Sequence, residues 1–175
     1  MEDFGFGLDL SMSEADFYQP IKERLKELFV AKGKHPYLEV TATKGLSEKL
    51  KQKIPQNREI VFVFLKKKPD LFGFVEGQYS NDLITVEIKE KIEKLDDIYQ
   101  AKLYKEVFDA KFGFLITTEP IPEEIKRLCK NTHSVLHSSV DDIYRFLAIG
   151  QYDKESSQFI DWFEKNPFEE EHYWR

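Results

Sequence analysis

The sequence predicts a mixed α/β fold: a mixed β-sheet flanked by helices on both faces. Three observations predict it. Helix-like and strand-like stretches alternate along the 175 residues, and two alternating strands form a hairpin near mid-chain. The composition, 41% hydrophobic with 15 Phe, suffices for one packed core.

The elements follow in order. Residues 1–12 carry Gly5 and Gly7 and read as an extended arm. Ser13 is a helix N-cap, with Asp16 three residues on, and the helix runs to about Ala31 before Gly33. Pro20 either kinks that helix or marks a later start. Tyr37 to Thr43 reads as a short strand, and Leu46 to Ile54 as a small helix or irregular excursion closed by Pro55. The apolar run Ile60-Val61-Phe62-Val63-Phe64-Leu65 predicts a strand over 59–66. Leu71 to Val75 and Leu83 to Lys89 form the hairpin, around Gly77 to Asp82. A helix follows over 95–109, a buried strand over 112–117 and a helix to about Lys130. Residues 134–137 read as a short strand, 141–148 as a helix and 158–164 as another helix.

The chain divides into a body, residues 1–150, and an acidic, aromatic extension, residues 151–175. Net charge is −6, of which the extension contributes −4 through seven acidic and three basic side chains. The body is therefore near neutral. That favours a modest-affinity or partner-assisted binder over one that coats DNA unaided, and it leaves room for a local basic stripe. Trp162-Phe163 and Tyr173-Trp174 make the extension either a packing segment or a contact for a protein partner. No apolar run approaches the roughly 20 residues that span a bilayer, and the start Met1-Glu2-Asp3 lacks a basic leader. Cys129, the lone cysteine, reads as a buried helix residue, and a reducing, cytoplasmic setting is expected.

The chemistry concentrates at Pro69-Asp70 and Glu87-Ile88-Lys89. Residues two apart on a strand share a face, so Glu87 and Lys89 point together while Ile84, Val86 and Ile88 point into apolar packing. A turn centred between Tyr79 and Ser80 would set Asp70 opposite Lys89 and Phe72 opposite Glu87. The two carboxylates would then be diagonal neighbours, roughly 7–8 Å apart at Cα. Carboxylates that converge repel each other, and a cation relieves the repulsion. An all-oxygen donor set selects Mg²⁺ or Mn²⁺ over zinc. Lys66-Lys67-Lys68, just before Pro69, is a solvated strand end or a phosphate contact, with Lys68 the nucleic-acid candidate. His133 and His137 flank a predicted strand, and no metal role is expected there.

These motifs resemble the PD-(D/E)xK nuclease superfamily, whose restriction-endonuclease-like core runs helix, three antiparallel strands, helix, strand. The resemblance covers roughly residues 13–138. It implies a metal-dependent phosphodiesterase or endonuclease acting on DNA more than RNA, often as a homodimer. Asp70 and Glu87 would bind the metal, with the Ile88 carbonyl as third ligand, and Lys89 would orient or deprotonate the attacking water. A Glu on the first helix often faces such a site; helical phase selects Glu14, on the face of Tyr18, Ile21 and Leu25, and directs Glu23 to solvent. On the helix after the triplet the resemblance selects Gln100, with Lys102 and Tyr104 as phosphate contacts. The rival expectation is a non-catalytic scaffold of the same fold, using the acidic extension to dock a partner.

Overall fold

The computed structural model describes residues 12–138 and 145–174. The predicted arm over 1–12 lies almost wholly outside these, as does the part of the predicted helix over 141–144.

Six strands form one mixed sheet in the order β1 (Pro36–Val40), β2 (Leu71–Glu76), β3 (Asn81–Lys89), β4 (Phe112–Thr117), β5 (Leu147–Asp153) and β6 (Gln158–Trp162). The β1–β2, β2–β3 and β5–β6 pairs are antiparallel, whereas β3–β4 and β4–β5 are parallel. Both parallel steps need a crossover, and helix α4 (Leu95–Val107) supplies the first. Alternation along the strands sends side chains to two faces. On one, Ile84, Val86 and Ile88 of β3 and Phe112, Phe114 and Ile116 of β4 pack on Ile21, Leu25 and Phe29 of helix α1 (Tyr18–Ala31). On the other, Phe72, Phe74 and Leu83 meet Tyr104 and Phe108, and Leu115 meets Ile98 and Ala101.

Helix α1 begins as expected. Ser13 and Asp16 form a capping box, the Ser13 N–H donating to Asp16 Oδ2 at 2.7 Å. A short 3₁₀ turn, Glu14–Phe17, precedes the α-helix. Pro20 falls in the first turn of α1, where its missing N–H has no intrahelical partner to lose, so no kink results. Gly33 ends the helix with φ of 74°, and the Lys34 N–H donates back to the Phe29 carbonyl at 3.0 Å. Helix α2 (Glu48–Lys53) matches the expected excursion, with Ser47 Oγ accepting from the Leu50 N–H.

Four expectations fail. The apolar run predicted as a strand over 59–66 is helix α3 (Gln56–Phe64). Pro55 stands at its N-cap, and of the run only Phe62 is buried, packed on Phe72 and Phe108. An apolar run of this length has no period that distinguishes strand from helix. The predicted strand over 134–137 is a 3₁₀ turn, His133–Val135, following helix α5 (Glu123–Asn131); only His137 bridges to Phe146. The predicted helix over 141–148 gives way to β5 at Leu147, and the predicted helix over 158–164 is strand β6. β5 runs across the 150/151 boundary and β6 lies within the extension, and Tyr152, Phe168 and Tyr173 belong to the same core cluster as Phe29 and Phe114. The aromatic rings of the extension thus pack inside the fold.

Candidate active site

Pro69-Asp70 enters β2 under restraint. The Thr41 hydroxyl donates to the Pro69 carbonyl at 2.6 Å, and the Thr41 N–H donates to the Asp70 carbonyl at 2.8 Å. Thr41 is itself buried, so the end of β1 fixes the backbone that carries the carboxylate.

The hairpin register differs from the expected one. Leu71 pairs with Val86 and Phe72 with Thr85, so one step further Asp70 comes level with Glu87 rather than Lys89. The turn closes between Glu76 and Asn81, which centres it one residue earlier than supposed. A two-residue shift preserves side-chain parity. Asp70, Glu87 and Lys89 consequently still share the sheet face that looks toward α4, and Asp70 lies directly across from Glu87 instead of diagonally.

Both carboxylates are buried, Asp70 at 8% exposure and Glu87 at 3%. Asp70 Oδ2 accepts the Ile88 N–H at 2.7 Å, and the Tyr18 hydroxyl also hydrogen-bonds to the Asp70 carboxylate. Burial nevertheless raises the Asp70 pKa, against the pull of these bonds. Glu87 Oε1 sits 3.1 Å from Lys89 Nζ, whereas Glu87 Oε2 is buried with no partner. Burial, and then the neighbouring Asp70 charge, push Glu87 up to about 8. Burial opposes the Lys89 ammonium, but Glu87, Glu14 and Asp70 outweigh it and hold its pKa above the usual lysine value. Lys89 is therefore a fixed cation rather than a proton acceptor near neutral pH. Tyr18 is raised by burial and by the same carboxylates, which keeps its hydroxyl protonated.

The orphaned oxygen and the two facing carboxylates fit a hard divalent cation, because adding positive charge answers both the repulsion and the missing partner. Ile88 fits as a further donor. Within a strand the N–H and C=O of one residue point to the same side, so the Ile88 carbonyl lies on the side of Asp70. The donor set is small: among the described residues no group of three or more His, Cys, Asp or Glu side chains is placed to share one ion.

Glu14 sits over the end of β3, its Oε1 accepting the Glu90 N–H at 3.2 Å, and it also lines a second cleft beside Lys89. Gln100 lines a cleft of about 390 Å³ together with Tyr18, Lys66, Lys67, Lys68, Asp70, Glu87 and Lys89. Its Nε2 donates to the Tyr104 hydroxyl at 2.8 Å. Glu14, Gln100 and the Asp-Glu-Lys group are thus brought together.

The three nucleic-acid candidates differ in their placement. Tyr104 is 1% exposed, too enclosed to meet a phosphate; it supports Gln100 from beneath, and burial raises it to about 12. Lys102 Nζ donates to the Ser134 carbonyl at 2.6 Å and pairs with Glu106 at 3.4 Å, so it ties α4 to the turn after α5. Lys68 lines the same cleft as Asp70, Glu87 and Lys89, with its ammonium directed at the carbonyls of Phe62, Val63 and Leu65, where it closes the end of α3. Two residues were missed. Tyr18 was legible from its helical phase with Glu14; Thr41 left no signal, because its role depends on the β1–β2 pairing. The His133 and His137 rings stack at 3.9 Å, and burial pushes the Cys129 thiol up to about 11, so it stays neutral.

No protein-family model, no curated protein and no solved structure matches the chain.

Proposed function

We propose that the chain is a metal-dependent nuclease of the PD-(D/E)xK type that hydrolyses phosphodiester bonds in DNA. The observation that carries this reading is the buried Asp70–Glu87 pair, with one Glu87 oxygen lacking a partner and the other held by Lys89. Two carboxylates buried face to face with one oxygen unpartnered are costly, and that cost points to a use for the pair. The element order also supports it: α1, the antiparallel β1–β2–β3, α4, then β4 parallel to β3 is the order of a restriction-endonuclease-like core.

Asp70, Glu87 and the Ile88 carbonyl would hold Mg²⁺ or Mn²⁺. When bound, such an ion supplies charge that polarises a phosphate and acidifies a water. Lys89, oriented by Glu87, stabilises negative charge growing on the phosphate oxygens and positions the attacking water. Glu14 holds the end of β3 and adds to the field on Lys89. Gln100, fixed by Tyr104, offers a donor and an acceptor to water or phosphate in the cleft.

The test is cleavage of single-stranded, duplex and branched DNA in Mg²⁺ and in Mn²⁺. Wild type should cut at least one of them, EDTA should stop it, and Lys89→Ala should lose roughly a hundredfold or more. Titration of Mn²⁺ should show binding that Asp70→Asn removes. Equal behaviour of wild type and Lys89→Ala would leave the non-catalytic scaffold as the better reading.

A further inference from the structure

Helix α3 carries a stripe that the described residues leave uncovered. Ile60, Val63 and Phe64 follow the i, i+3, i+4 spacing of one helix face, and their exposures are 52%, 69% and 84%. The helix is held from its opposite side. Phe62 packs on Phe72 and Phe108, and Arg58 Nη1 donates to the Val107 carbonyl at 3.0 Å. Lys68 closes the last turn. Phe64 is therefore presented by a secured helix end. Lys66 and Lys67 follow at once, both exposed, and both line the cleft that contains Asp70, Glu87 and Lys89.

We infer that this face is a platform for single-stranded nucleic acid, with a base stacked on Phe64 and backbone phosphates on Lys66 and Lys67 as the strand enters the cleft. The proposal rests on the nuclease reading for what happens in the cleft, and on the platform itself for binding. An unpaired strand offers the two chemistries that the platform offers in complement. Its base faces are apolar and aromatic, and its backbone is anionic. A duplex keeps its base faces stacked inside, so it can meet the lysines but brings nothing to Phe64. The acidic net charge fits a local contact of this kind, because aromatic stacking does not depend on the overall field.

Anisotropy of fluorescein-labelled oligonucleotides, measured in EDTA so that nothing is cut, tests it. Wild type should bind a single strand more tightly than the same sequence as a duplex. Phe64→Ala should weaken single-strand binding roughly tenfold or more, without affecting the duplex or an abasic strand. Phe64→Trp should keep the affinity and add an emission quenched by single strands alone. Lys66→Ala with Lys67→Ala should weaken every anionic ligand and flatten the salt dependence of log affinity for a single strand by about 1.4. Phe64 is exposed, so these variants should melt like wild type.

Binding that ignores Phe64→Ala, or no preference for single strands, overturns the platform. So does Phe64-dependent sedimentation with phosphatidylserine vesicles by a protein that binds no oligonucleotide, which would assign the face to a membrane surface. The two readings separate cleanly. A chain that cleaves but binds independently of Phe64 loses only the platform; one that binds through Phe64 but cleaves nothing loses only the catalytic reading.

Discussion

The aromatic cluster on one face of the sheet and the carboxylate pair at the end of β2 and β3 are both buried, yet they are built on opposite terms. Phe29 meets the rings of Phe112, Phe114, Phe168 and Trp174 at 5.0–6.3 Å, mostly edge to face. Every contact there is favourable and none requires anything from outside. Asp70 and Glu87 face each other with an oxygen left over. The first region explains why the fold persists; the second is held in place by that persistence. Where a structure tolerates local cost, the cost marks where its chemistry is to be sought.

The largest expected effect tests the favourable side. Phe29→Ala should cost about 3–5 kcal/mol of stability, read by urea unfolding. If the contrast holds, it should leave Mn²⁺ affinity of the folded protein unchanged.

The next tests the costly side through pH. An unfolded Glu87 loses its proton near 4.5, whereas the folded one keeps it until about 8. Between those values unfolding releases a proton, so rising pH favours the unfolded chain. Stability should fall from pH 4.5 to 8, by at most about 5 kcal/mol, and level off above. Urea midpoints across this range should show the decline in wild type and a much flatter profile in Glu87→Gln. A profile that rises with pH over the same window would mean the pair is not frustrated. Mg²⁺ or Mn²⁺ should raise the melting temperature more at pH 8 than at pH 5, because only the ionised pair gains from the cation.

A smaller effect sharpens the link between the two regions. Tyr18→Phe removes a hydrogen bond to Asp70 while keeping the ring, and should cost about 1 kcal/mol. Cleavage, where present, should drop with it. The smallest is Ser13→Ala, which removes the Ser13 hydroxyl's bond to Asp16 but keeps the backbone one, and should cost about 0.5 kcal/mol in thermal melts with no change in ion binding.

The site was more legible than the fold around it, for a physical reason. Strand parity survives any even shift of register, so Asp70, Glu87 and Lys89 fall on one face although the turn closes one residue early. The capping box and Gly33 likewise announce α1 by local chemistry alone. Helix α3 was unreadable because its apolar run follows no period and its fate is decided by Phe72 and Phe108, which are distant in sequence. β6 was hidden because an edge strand needs only its neighbour β5, and no pattern within Gln158–Trp162 declares that neighbour. The carbonyl that Lys102 holds was not legible, because sequence shows a charge but not the acceptor it will find.

Gly73 shows how little slack surrounds the site. A methyl group at this position would lie 1.9 Å from the Tyr37 carbonyl oxygen of the adjoining strand. β1 and β2 are thus drawn together more closely than any larger residue permits, and Thr41, at the far end of that seam, inherits the tight spacing. Gly73→Ala would force β1 and β2 apart at Tyr37 and Leu38, so a residue with no functional group of its own sets how closely the strand that leads from Asp70 can lie beside its neighbour.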